Sequence, residues 1–158
     1  FPGGKIIDDL AKMGDETAIA FPRPMLNSGN YQFSYSGIKT SVRNFVEKAK
    51  KNQELPSVED IAASFQSAAV EVLVAKTIRA TREKGYRTIT LTGGVAANSL
   101  LRKEMEIAGE EIGAKVFYPS IRLCTDNAAM IAGLAYHKYC QGQRDDFDLN
   151  ASASSEIV

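Results

Sequence analysis

The run Arg87-Thr88-Ile89-Thr90-Leu91-Thr92 is β-branched and alternating, and it meets two glycines, Gly93 and Gly94. That pattern is a strand entering a turn. A helical pattern follows from about Ala97 to Glu111, and Lys115-Val116-Phe117-Tyr118 reads as a second strand. Two strands separated by a helix are expected to be parallel, which sets the class as α/β. In such sheets ligands bind beyond the carboxyl ends of the strands. Two segments fall on that edge. One is the Gly93-Gly94 turn. The other is Arg122–Ala132, where Asp126 and Asn127 precede Ala128, Ala129, Ile131, Ala132, Leu134 and Ala135 at helical spacing.

Elsewhere the periodicity is mostly helical. Ile6, Ile7, Leu10 and Ala11 form a short helical pattern that ends near Gly14. Residues 15–30 are rich in proline and turn formers and read as loop, and Tyr31–Ser34 reads as a short extended segment. From Ser36 the residues Ile38, Val42, Phe45, Val46 and Ala49 mark one face of a helix. Ser57 and Asp60 resemble a capping box for a long helix. Its buried stripe is Ile61, Phe65, Ala68, Ala69, Val72 and Leu73, and Gly85 is its stop. The last helix is expected from about Thr125 to Cys140. The domain therefore spans residues 1–141, and the polar tail, 142–158, is expected to be disordered.

Charge and cysteine content exclude several classes. Lys and Arg balance Asp and Glu at 19 each, so no global basic field points to nucleic acid, although local patches matter more than totals. Cys124 and Cys140 make neither a disulfide framework nor a zinc-type cluster. Reduced thiols in a cytoplasmic protein are the simplest reading. No apolar run is expected to cross a membrane and no signal peptide is visible.

Several residues are candidates for chemistry, each beside a plainer alternative. Gly93 and Gly94 admit a ligand to the backbone, and Asn98 can hydrogen-bond a base or ribose; the alternative is a tight turn with Asn98 satisfied locally. Gly4 opens a helix to a ligand and Asp8, one turn on, can accept from a ribose; the alternative is an exposed acid. Ser36-Gly37 before Lys39 suits an anion-binding turn or a plain serine cap. Lys39, Arg43 and Lys48 either touch phosphates or form a solvated face. Asp126 either ligates a metal or stabilises a helix start. His137 reads as a packing or surface residue and Cys124 as a buried thiol, rather than as ligands.

The segments Phe-Pro-Gly-Gly at 1–4, Phe-Pro-Arg-Pro at 21–24 and Phe-Ser-Tyr-Ser-Gly-Ile-Lys-Thr at 33–40 stand in a fixed order. Ala-Ala-Ser-Phe-Gln at 62–66, Thr-Gly-Gly-Val-Ala-Ala-Asn at 92–98 and Cys-Thr-Asp-Asn-Ala-Ala-Met-Ile-Ala at 124–132 complete the series. Together they resemble the TsaD family. The resemblance implies part of one lobe of an actin-like, sugar-kinase-like (RNase H-like, ASKHA) two-lobed fold around a nucleotide cleft. It implies transfer of threonylcarbamoyl from threonylcarbamoyl-adenylate to the N6 amine of the adenosine 3′ of the anticodon in tRNA, with release of AMP.

By their positions in the motifs, Gly4, Asp8 and Asn98 look like nucleotide and substrate contacts, and Ser36, Gly37, Gly93 and Gly94 would line the cleft. Asp126 looks like a ligand to one divalent metal, iron or zinc. The family's other metal ligands are a His-x-x-x-His pair that this chain lacks. The chain thus resembles a C-terminal portion, and the implied partners are an N-terminal half, tRNA, the adenylate and accessory proteins of the threonylcarbamoyladenosine pathway, with no membrane. A non-catalytic scaffold lobe and a nucleotide-dependent kinase or ATPase of the same superfamily remain alternatives.

Overall fold

The computed structural model describes residues 3–150. Phe1, Pro2 and residues 151–158, the end of the expected tail, lie outside the described residues. The chain falls into two units, Phe1–Cys124 and Thr125–Val158.

The first unit is built around one long helix. Its elements are α1 (Gly3–Ala11), α2 (Ser36–Asn52), α3 (Val58–Lys84), β1 (Thr88–Thr90), α4 (Ser99–Glu111) and β2 (Lys115–Phe117), with 3-10 turns at Gly94–Ala97 and Ile121–Leu123. The strands β1 and β2 pair in parallel, with Thr88 opposite Lys115, Ile89 opposite Val116 and Thr90 opposite Phe117. They are shorter than the sequence suggests. The ladder still continues past both ends, through Lys115 N–H to Arg87 O at 2.9 Å and Leu91 N–H to Phe117 O at 2.9 Å. Tyr31–Ser34 pairs with no strand and forms no regular element.

Caps explain where α3 starts and stops. Ser57 accepts from the Asp60 N–H at 3.0 Å, as the spacing predicts. The reciprocal half of the box is absent. The Asp60 carboxylate instead accepts from the Asp15 N–H at 2.8 Å, and with the Ser57 hydroxyl this holds its carboxyl below the usual range. At the other end Gly85 takes φ 70°, and the Tyr86 N–H closes on Thr81 O at 3.0 Å.

The apolar surface of α3 is not one stripe. Ala68 joins a cluster with Ile19, Phe21 and Ile38, against which Val42, Phe45, Ile61, Phe65 and Ala69 pack. Val70 and Ile78 join a second cluster with Ile89, Leu101, Met105 and Ala114. A helix apolar on several sides is a core helix. Contrary to the sequence reading, α3 is long and apolar enough by length and composition to cross a membrane, and half of its apolar window is buried inside the fold.

Segment 14–33 is held on α3 by polar side chains. Gly14 lies so close to α3 that a β-carbon there would fall 2.1 Å from Glu59 O. The Ser64 hydroxyl accepts from the Ile19 N–H at 3.1 Å and donates to Asp15 O at 3.2 Å. Lys76, 1% exposed, donates to Met25 O at 2.8 Å and to the Ser28 hydroxyl at 2.7 Å.

The second unit contains α5 (Ala128–Cys140). Its N-cap is Asn127, whose side chain accepts from the Met130 N–H at 3.0 Å, so the helix begins three residues later than expected. It buries no residue, and Met130, Ile131 and Leu134 are exposed. Residues 142–150 carry turns and no regular element.

Candidate functional site

The site grows from the end of β1. Gly93 has φ 77° and ψ −179°, a conformation essentially reserved for glycine. This turns the chain into the 3-10 segment Gly94–Ala97. A β-carbon at Gly93, Gly94 or Gly4 would meet nothing within 4 Å, so each faces open space.

Next to this turn, two acceptors close the N-terminus of α4. The Asn98 side-chain oxygen accepts from the Leu101 N–H at 2.9 Å. Asp8, 8% exposed on α1, accepts from the Ser99 N–H at 3.1 Å and the Ser99 hydroxyl at 2.8 Å. A carboxylate suits that helix end, where backbone N–H groups lack intrahelical partners. Lys12 lies 3.3 Å from the other Asp8 oxygen. The Asn98 amide also donates to Gln66 Oε1 on α3 at 2.8 Å. Asn98 therefore satisfies the local alternative, with one amide hydrogen left over.

Arg102, one turn into α4, binds the segments on either side. Its Nε donates to Ala96 O at 2.5 Å, and its Nη2 to Pro119 O at 2.9 Å and to Cys124 Sγ at 3.1 Å. The guanidinium carbon sits 4.3 Å from the centre of the Tyr118 ring. Cys124 is 3% exposed, which agrees with its reading as a packing thiol.

The structure thus brings Asp8, Asn98 and the Gly93-Gly94 turn to one edge. Ser36 and Gly37 open α2, and none of these hydrogen bonds reaches them. Gly37 packs on Pro24, whose Cγ would lie 3.2 Å from an added β-carbon. Tyr35, not a serine, occupies the N-cap of α2, with no side-chain cap bond. In the second unit Asp126 is exposed and makes no hydrogen bond or ion pair among the described residues. His137 stacks edge-on with Tyr136, the centroids 5.7 Å apart. Among the described residues no three His, Cys, Asp or Glu side chains converge as a metal site. Sequence reasoning assigned no role to Gln66, Ser99 or Arg102. Each acts through partners distant in sequence, and no spacing signals that.

This arrangement defines an α/β domain with glycines, an acid and an amide gathered at the carboxyl end of a parallel pair. A family profile, TsaD: tRNA N6-adenosine threonylcarbamoyltransferase, matches residues 1–133. A curated relative named tRNA N6-adenosine threonylcarbamoyltransferase from Clostridioides difficile is 49% identical over 158 residues, covering 99% of this chain and 46% of the relative. Relatives of the same name from Thermotoga neapolitana and Thermosipho africanus are 46% and 48% identical, each covering 99% of this chain and 47% of the relative. The chain belongs to the TsaD family. It spans about half the length of the curated relatives it matches.

Proposed function

We propose that this chain is a portion of a tRNA N6-adenosine threonylcarbamoyltransferase with an actin-like, two-lobed architecture. The observation that carries the reading is the name shared by relatives 46–49% identical across nearly the whole chain. In the reaction, the N6 amine of the adenosine attacks the carbamoyl carbonyl of threonylcarbamoyl-adenylate. The new C–N bond forms as the bond between that carbonyl carbon and the phosphate oxygen breaks. AMP leaves and the amine loses its proton.

The chain's own residues serve binding and orientation in this scheme. The open faces of Gly4, Gly93 and Gly94 let the adenylate approach the backbone, where N–H groups can hold its oxygens. The spare amide hydrogen of Asn98 donates to the nucleotide. Asp8 acts mainly by fixing the N-terminus of α4 beside that turn, and Arg102 fixes the turn to the segment after β2. The described residues do not themselves fit a metal centre, so no step is assigned to one. Asp126 is offered as a single carboxylate ligand, with histidines from outside this chain completing the set. Accessory proteins of the pathway belong to the same proposal.

The test uses the full-length protein with threonylcarbamoyl-adenylate and unmodified tRNA. Mass spectrometry of the digested nucleosides should show threonylcarbamoyladenosine, with one AMP released per transfer. AMP release without modified nucleoside, under conditions where a bacterial relative modifies the same tRNA, would rule the assignment out.

A further inference from the structure

Charge in this chain is balanced overall but not locally. The 17 residues of α2 carry five cations, Lys39, Arg43, Lys48, Lys50 and Lys51, against a single acid, Glu47. All five are exposed. Among the described residues none of them forms an ion pair.

Helix stability does not account for this row. Lys50 and Lys51 lie in the last turn, where the dipole favours cations. Lys39 lies in the first turn, where it opposes the dipole, and no acid accompanies it there. At 3.6 residues per turn, Lys39, Arg43 and Lys50 fall within roughly 40° of one another and span about 16 Å of helix. Exposed cations in one row, with the Thr40 hydroxyl next to them, match the way proteins grip a nucleic-acid backbone. A lipid surface fits less well, because it needs an exposed apolar face. The apolar face of α2, with Ile38 and Ala49, is buried in the core.

We propose that the Lys39–Arg43–Lys50 row, with Thr40 beside it, docks the phosphate backbone of the tRNA substrate. This rests on the transferase reading and adds to it the surface that holds the RNA. The contact is independent of base sequence and raises affinity without touching the reacting atoms.

The experiment measures tRNA binding to the full-length enzyme across a salt series, together with transfer kinetics. The triple variant Lys39→Gln, Arg43→Gln, Lys50→Gln is expected to bind tRNA at least ~10-fold more weakly, with the log–log salt slope reduced by about two. The tRNA KM should rise while kcat at saturating tRNA and affinity for the adenylate stay at parental values. Lys39→Arg with Lys50→Arg should bind like the parent, and Arg43→Gln alone should show a smaller loss in the same direction. A control triple variant on other elements, Arg87→Gln, Lys103→Gln, Lys115→Gln, should change little. Equal loss in the control, or parental affinity and slope in the α2 variant of an active enzyme, overturns the docking surface and leaves the transferase reading standing. So does an effect confined to vesicles of phosphatidylglycerol. A parent enzyme that neither binds nor modifies tRNA removes both readings together.

Discussion

The Asp8 carboxylate on α1 receives both the backbone N–H and the hydroxyl of Ser99, 91 residues further along the chain. One buried acid thereby joins the first helix to the N-terminus of α4 and fixes the edge where the glycine turn lies. Asp8→Ala should cost about 1.5–3 kcal/mol, the range for hydrogen bonds to a charged group. Ser99→Ala should cost less, because its backbone N–H remains available. In a double-mutant cycle read by urea unfolding, the two changes should be non-additive. Strict additivity would mean that the pair does not couple.

Asn98 both caps α4 and stands beside the turn proposed to hold the nucleotide. Asn98→Ala should therefore cost stability, roughly 0.5–2 kcal/mol for a lost N-cap. Asn98→Asp keeps the capping oxygen but loses the amide donor, so stability should largely return while affinity for the adenylate stays low. Calorimetric titration of both variants in the full-length enzyme separates the two roles. Parental affinity in Asn98→Asp would leave the cap as its whole function.

Arg102 donates to the sulfur of buried Cys124 and to the carbonyl of Pro119 before it. Arg102→Lys cannot reach Ala96 O, Pro119 O and Cys124 Sγ together, and the loss of charged hydrogen bonds should raise local opening by on the order of tenfold or more. A thiol reagent should modify exposed Cys140 at once and Cys124 slowly in the parent. In Arg102→Lys the slow phase should accelerate. An unchanged slow phase would show that packing alone shields the thiol.

Lys76 gives stability a pH dependence of known sign. Burial, and secondarily the nearby Arg79, holds its ammonium below the usual lysine pKa. Between that lowered value and about 10.4, the unfolded chain binds the proton and the folded chain does not. Stability contributed by this group therefore rises with pH through the window and is absent below it. Stability of the parent and of Lys76→Met should differ in slope against pH only inside the window and run parallel below and above it. Parallel curves throughout would mean that Lys76 titrates as in the unfolded chain.

Asp126 lies next to the cap of α5 without serving as the cap. Removing it should leave the helix intact, and thermal unfolding of Asp126→Ala should match the parent. In the full-length protein the same change should sharply lower bound iron or zinc, measured by elemental analysis. Unchanged metal content would remove it from the ligand set.

The sequence made the regular elements legible because their signals are local. Ser57, Gly85 and the Gly93-Gly94 turn sit where spacing places them, and the parallel pair follows from element order. What escaped notice depends on distant partners. Asp60 looks like half of a capping box, yet its carboxylate serves Asp15, 45 residues away. Gly14 looks like a helix stop, yet the approach of Glu59 forbids any side chain there. Asn98 read as a ligand contact from its place after the glycines, with local capping as the alternative, and its bond to Gln66 appears only once α3 lies alongside. Arg102 carried no motif at all.

With 27 residues, α3 is about 40 Å long. Both apolar clusters rest on it, Ala68 in one and Val70 with Ile78 in the other. The clusters therefore share a spine, and amides in the middle of α3 can exchange with solvent only when the whole first unit opens. Segment 14–33 supplies Ile19 and Phe21 to the cluster around Ala68, so it cannot leave the spine without opening that cluster, whereas the cluster around Val70 and Ile78 takes no residue from it. Folding order follows from the same asymmetry: the Val70–Ile78 cluster can form on the spine first, and the Ala68 cluster closes only when the segment carrying Ile19 and Phe21 is laid down.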